Sequence, residues 1–278
     1  MEYREIIESY IDSHKEEMLN DIKALCRINS EKMPYREGMP YGEGVCAALG
    51  MALTMAEGYG FSVRNYDNYV GTADLNDKEP GLDILAHLDV VPAGEGWQVT
   101  APFEPLEKDG KLYGRGTADD KGPAVAALYA MRAVKECGIP VSKNVRLILG
   151  TDEECGSSDI PHYYAEEKEA PMTFSPDASF PVINTEKGSL RGHFTAEWEK
   201  SEVLPRLCAI HAGLKINVLP GKAEAVFQGV SPEVLEAAMK EAEGAIGVHF
   251  EAEYSDYTVE KGDEMAKVRA NGEGRHAA

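Results

Sequence analysis

Four short segments of this chain carry residue types that bind cations or move protons, and each follows an apolar run. His87 and Asp89 close Ile84-Leu85-Ala86-His87-Leu88-Asp89-Val90-Val91, and Asp119 and Asp120 lie in Tyr113-Gly114-Arg115-Gly116-Thr117-Ala118-Asp119-Asp120-Lys121-Gly122. Glu153 and Glu154 follow Leu147-Ile148-Leu149-Gly150-Thr151-Asp152, and Asp177 lies in Thr173-Phe174-Ser175-Pro176-Asp177-Ala178. An imidazole and several carboxylates delivered by successive strand ends suit a divalent metal. The chemistry this implies is hydrolysis assisted by such a metal.

Each segment also has a plainer reading. A lone buried histidine is usually satisfied by a backbone carbonyl, but four clustered acidic segments favour His87 as a ligand. Side chains alternate along a strand, so Asp89 falls on the side of His87, where a carboxylate can hold one ring nitrogen while the other faces a metal. Asp119 and Asp120 begin a helix, where the dipole favours carboxylates whatever their use. Gly114, Gly116 and Gly122 would let the backbone wrap an ion, which favours Asp119 as a ligand. Of Glu153 and Glu154, one can bind metal while the other accepts a proton. Asp152 reads as a solvated loop residue and Asp177 as a last carboxylate. His14, His162 and His249 read as surface or helix-face residues, and His193 and His211 as packing residues of strands.

The elements that must position these groups are legible from periodicity. Tyr3 to Ile28 repeats apolar residues at helical spacing, as one amphipathic helix or a pair. Val45–Gly58 and Gly122–Cys137 read as helices, and Asp159–Glu169 as a third. Phe61–Leu75 reads as two strands around Asp67-Asn68. Leu82–Val91 and Asn144–Leu149 read as strands buried on both faces. Strands alternating with helices predict an α/β sandwich with a central, mostly parallel sheet through about residue 186. Beyond it the pattern changes. Ser189–Trp198 alternates like a strand, Ala209–Gly229 reads as a hairpin, Pro232 opens a helix at its first turn, and Val248–Tyr254 is a further strand. The expected domains are 1–186, carrying the metal-binding motifs, and 187–278, a partial α+β domain.

Bulk properties exclude several classes. A formal charge of −20 disfavours nucleic acid and anionic membrane as partners. The five cysteines form no Cys-x-x-Cys pair, which favours reduced thiols in a cytoplasm over a disulfide framework. No apolar run is long enough to span a bilayer, and the acidic start is unlike a signal peptide.

Taken together, His-x-Asp-x-Val, Gly-Arg-Gly-Thr-x-Asp-Asp-Lys-Gly, the Glu-Glu pair and Pro-Asp-Ala resemble the M20 family of dinuclear zinc peptidases. Asp120 before Lys121, and Phe180-Pro181-Val182-Ile183-Asn184-Thr185-Glu186-Lys187-Gly188, resemble its PepV-like dipeptidase branch. The resemblance implies that His87 and Asp177 bind one metal, Glu154 the other, and Asp119 both. It implies that Asp89 orients His87 and that Glu153 is the general base for the attacking water. The Asp119-Asp120 peptide is then expected to be cis. In an inserted lid domain, Asn217 would contact substrate and His276 would polarise the scissile carbonyl.

The implied activity is hydrolysis of dipeptides or short peptides with a free N-terminus, in the cytoplasm, by two divalent ions. Zinc is favoured over manganese or cobalt, and a monomer over an oligomer. Removal of an acyl group from an N-acyl amino acid, or a non-catalytic binding module, are the alternatives. The family's last metal-binding histidine lies in a C-terminal return segment that these residues do not contain. The chain is therefore expected to be C-terminally truncated and, alone, not to turn over dipeptides.

Overall fold

The structure, a computed structural model, describes residues 3–94, 96–185, 188, 190–199, 201–213, 218–255, 265–271 and 275–276. It divides into two compact units, Met1–Lys187 and Gly188–Ala278.

The first unit begins with the helix pair that the N-terminal periodicity allows, α1 (Tyr3–Ser13) and α2 (Lys15–Cys26), followed by α3 (Glu43–Gly58). Strands β1 (Ser62–Tyr66) and β2 (Val70–Asp74) form a hairpin whose turn residues, Asp67 and Asn68, both take positive φ. Next come β3 (Pro80–His87), the short hairpin β4 (Leu106–Lys108) and β5 (Lys111–Tyr113), and α4 (Lys121–Glu136). Then follow β6 (Asn144–Gly150), a 3-10 turn at Glu153–Cys155, α5 (Asp159–Tyr164) and β7 (Thr173–Phe174).

The central sheet has the order β1-β2-β6-β3-β7. It is parallel from β6 through β3 to β7 and antiparallel from β1 through β2 to β6. Residues of α2, α3 and α4 pack with β3 and β6 in one cluster that includes Leu25, Leu49, Leu88, Val125, Leu128 and Leu147. Tyr66, Val70, Ile148 and Tyr163 form a second cluster, to which α5 contributes Tyr163. Fully burying each such aliphatic side chain contributes about 1.5–3 kcal/mol. The α/β class holds, with the sheet mixed and its parallel half carrying the acidic segments.

Two details differ from expectation. α5 ends at Tyr164 instead of continuing to Glu169. Residues beyond it make tertiary bonds that a continued helix would not allow. Glu167 accepts from Arg64 and Tyr66, the Lys168 carbonyl accepts from Arg146, and the Ala170 N–H reaches Asp83. Asp152, expected in solvent, is fully buried. Its carboxylate accepts from Lys32 Nζ at 2.6 Å and from Ser158 Oγ at 2.6 Å.

In the second unit, β8 (Arg206–Ala212), β10 (Lys222–Gln228), β11 (His249–Ser255) and β12 (Met265–Asn271) form an antiparallel sheet of order β11-β12-β10-β8. The expected hairpin is the β8–β10 pair. Between them in sequence, β9 (Val218–Leu219) pairs with β13 (Arg275–His276). Helix α6 (Pro232–Ile246) starts as its sequence demands, with Pro232 in the first turn and Ser231 Oγ accepting from the Val234 N–H. Its Leu235 packs with Ala266 and Val268.

Of the strand expected at Ser189–Trp198, the described residues 190–198 form none: they have no strand pairing, and Leu190 and Phe194 are 99% and 95% exposed. Alternation alone does not hold a strand whose ladder lacks a partner. His193 and His211 are exposed, not packed. Among the described residues no helix is long and apolar enough to cross a membrane.

Candidate metal centre

Parallel pairing explains why the acidic segments meet. His87 at the end of β3 is in register with Gly150 at the end of β6, and Ile84 is in register with Phe174 at the end of β7. Three strands pointing the same way deliver the residues after their C-termini to one edge, where ligands bind in open α/β sheets. His87 comes from the first, Glu153 and Glu154 from the second, and Asp177 from the third. The loop before α4 adds Asp119 and Asp120.

His87 is 3% exposed. Its Nδ1 lies 3.0 Å from the Asp89 carbonyl, which can only accept, so Nδ1 carries the proton. Nε2 then faces Asp119 Oδ1 at 3.1 Å, Asp177 Oδ2 at 3.3 Å and Glu153 Oε2 at 4.0 Å. His87, Glu153 and Asp177 each offer a ligand atom, all within 4.8 Å of one another. Burial opposes a charge on His87, yet Asp119, Asp177 and Asp89 overcome it and hold the imidazole well above its usual range. Burial pushes Glu154 up to about 7, with Asp119 the next cause, and raises Glu153, partly opposed by His87. So many carboxylates around one imidazole require positive charge, and this donor set fits a divalent cation.

Asp89 does more than the sequence suggests. Its Oδ1 is 3.4 Å from His87 Nδ1, and its two oxygens also accept the N–H groups of Glu153 and Glu154, each at 3.1 Å. One carboxylate thus joins the β3 end to the start of the acidic turn. Asp120 is buried, its Oδ2 accepting the His87 N–H at 3.1 Å, and burial pushes its carboxyl up to about 7. The Asp119-Asp120 peptide is cis.

Sequence reasoning missed three supports. Lys121 is fully buried, and its Nζ donates to the carbonyls of Leu25 (3.1 Å) and Ile28 (2.8 Å), capping the end of α2. Burial pushes that ammonium down to about 8. Asp159 Oδ2 accepts the N–H groups of Thr151 and Asp152 at 2.5 and 3.1 Å, which shapes the turn before Glu153. The third is the Lys32–Asp152–Ser158 network. The sole signal for Lys121 is its place between the aspartates and Gly122; Lys32 and Ser158 have none.

Gly122 has a steric reason: a Cβ there would lie 2.0 Å from the Thr117 carbonyl oxygen. Gly122→Ala must open the loop that presents Asp119, and a loss on the order of 3 kcal/mol is expected. An unchanged denaturation midpoint would contradict this packing.

Of the other expected site residues, His276 lies on β13 with its backbone paired to Val218. Asn217 lies outside the described residues.

A sheet edge that gathers histidine and carboxylates defines the class: an α/β domain with a group able to hold a metal ion. Residues 84–273 match the family model Peptidase family M20/M25/M40, and the chain belongs to that family. It is 38% identical over 231 residues to YtjP of Bacillus subtilis (strain 168), covering 82% of this chain and 50% of YtjP. It is 33% identical over 276 residues to the Beta-Ala-Xaa dipeptidase of Lactobacillus delbrueckii subsp. lactis, covering 96% of this chain and 56% of the relative. The chain therefore spans about half the length of these curated relatives. Among solved structures, human carnosine dipeptidase 1 aligns with a TM-score of 0.57 at 16% identity, over 96% of this chain and 72% of that one. The M20 family metallo-carboxypeptidase Sso-CP2 from Sulfolobus solfataricus aligns at 0.51 and 17% identity, over 92% and 71%. At such identities the likeness concerns the fold.

Proposed function

We propose that this chain carries the metal-binding face of a dipeptidase acting on dipeptides or short peptides with a free N-terminus. The observation that carries the reading is the inward-facing Nε2 of His87, 3.1 Å from Asp119 and 3.3 Å from Asp177. Similarity to the Lactobacillus Beta-Ala-Xaa dipeptidase supports the substrate class. His87 and Asp177 would hold one ion, Glu154 a second, and Asp119 both, with zinc preferred over manganese or cobalt. Bound there, such ions supply Lewis-acid polarisation and acidify water.

The chain's own residues do the rest. Glu153 takes a proton from the attacking water and returns it to the leaving amine, and burial raises its carboxyl towards the range useful to a base. Asp89 fixes His87 and the Glu153-Glu154 turn together. The second unit would be part of a lid, with Asn217 contacting substrate and His276 donating to the scissile carbonyl. We place the enzyme in the cytoplasm as a monomer, with no nucleic acid or membrane partner.

The test is a panel of dipeptides against N-acyl amino acids, run on the full-length protein. Dipeptides are expected to be hydrolysed. A chelator should abolish turnover and excess zinc should restore it. Preference for the N-acyl substrates would reassign the enzyme as a deacylase, and turnover that survives chelation would remove the metal from the proposal.

A further inference from the structure

A second convergence of ligating groups shares no residue with the His87 cluster. Asp67 at the tip of the β1–β2 hairpin, His162 on α5 and Glu166 just beyond it each offer a ligand atom, all within 4.8 Å of one another. Tyr69 stacks on His162 with ring centroids 4.1 Å apart and planes at 21°, which fixes the direction of the imidazole. His162 Nε2 is shut off from solvent and has no hydrogen-bond partner. Asp67 Oδ2 stands 3.7 Å from it, beyond hydrogen-bond reach.

A buried, unpartnered ring nitrogen facing carboxylates across such a gap is ill-suited to direct pairing. It suits a shared cation, because tetrahedral bonds of about 2.1 Å place ligand atoms roughly 3.4 Å apart. Charge agrees. Arg64 bonds both Glu166, at 3.3 Å, and Glu167, at 2.8 Å, so a single guanidinium is divided between two glutamates with Asp67 nearby.

We propose that Asp67, His162 and Glu166 form a second, separate divalent-cation site, with zinc the best match to one imidazole and two carboxylates. A fourth position would be left to solvent. An ion there clasps the β1–β2 hairpin to α5, the helix whose first residue, Asp159, holds the turn leading to Glu153. Its role is to brace an element behind the first centre, and it takes no part in hydrolysis.

The test is calorimetric titration of Zn²⁺ alone into the chain and into three variants: His162→Gln, Asp67→Asn and His87→Ala. Metal-free circular dichroism establishes beforehand that each is folded, and Asp67→Asn, at an exposed hairpin tip, serves if His162→Gln does not fold. His162→Gln or Asp67→Asn should lose one zinc equivalent, or weaken it at least tenfold. His87→Ala should keep that equivalent whatever it does to the others. An anomalous zinc peak between Asp67, His162 and Glu166 completes the expected result. Unchanged stoichiometry and affinity in the folded His162→Gln or Asp67→Asn variant would overturn the site. Loss confined to His87→Ala would leave only the first centre.

Discussion

Glu153→Gln is expected to lower kcat for dipeptide hydrolysis by about 100- to 10,000-fold, with little change in KM or metal content. Glutamine keeps the size of the side chain and cannot take up a proton, so the substitution separates proton transfer from packing. The turn itself should survive, because its N–H groups are held by Asp89 and not by Glu153. Geometry makes the experiment decisive. Glu153 Oε2 is 4.0 Å from His87 Nε2, farther than Asp119 or Asp177, as suits a group beside the ligands. Yet Glu153, not Glu154, shares the close group with His87 and Asp177. Equal loss of metal and turnover in Glu153→Gln would make Glu153 a ligand and pass the role of base to Glu154. Equilibrium dialysis with metal analysis, run beside the kinetics, reads both quantities on one preparation.

The acidic segments after β3, β6 and β7 were legible because each follows a short apolar run that parallel pairing carries to a common edge, while Asp119 and Asp120 reach it from the loop before α4. The hairpin at Asp67-Asn68 and the start of α6 at Pro232 were legible because turn and capping residues act locally. What the chain did not disclose depends on partners distant in sequence. Asp152 reads as a solvated acid until Lys32 and Ser158 fold over it. Asp159–Glu169 has helical composition, yet Arg64, Arg146 and Asp83 claim the backbone and side chains past Tyr164. Residues 190–199 alternate well enough for a strand, and no described strand completes their ladder. His162 had no local context at all. Its context is Asp67, brought to it by the hairpin.

The largest effect on stability is expected at a pair hidden inside an apparently apolar strand. Asp83 and Arg146 are in register on neighbouring strands, both buried, with two parallel bonds of 2.9 Å between carboxylate and guanidinium. Asp83 also accepts the Ala170 N–H at 2.9 Å, and Arg146 donates to the Lys168 carbonyl at 2.9 Å. Together they fix β3 to β6 and tie down the segment that enters β7 on its way to Asp177. Asp83→Ala leaves a buried guanidinium uncompensated and should cost about 3–5 kcal/mol. Asp83→Leu with Arg146→Met should recover much of that, since apolar pairs of similar volume often replace buried ion pairs without loss. Chemical denaturation of the two variants compares them directly. If the double variant is as unstable as Asp83→Ala, the bonds to Lys168 and Ala170 matter more than the charges, and the pair acts chiefly by anchoring the chain ahead of Asp177. If it recovers stability but binds metal more weakly at the first centre, the polar pair is needed for the register of the three strand ends, beyond any need of the fold.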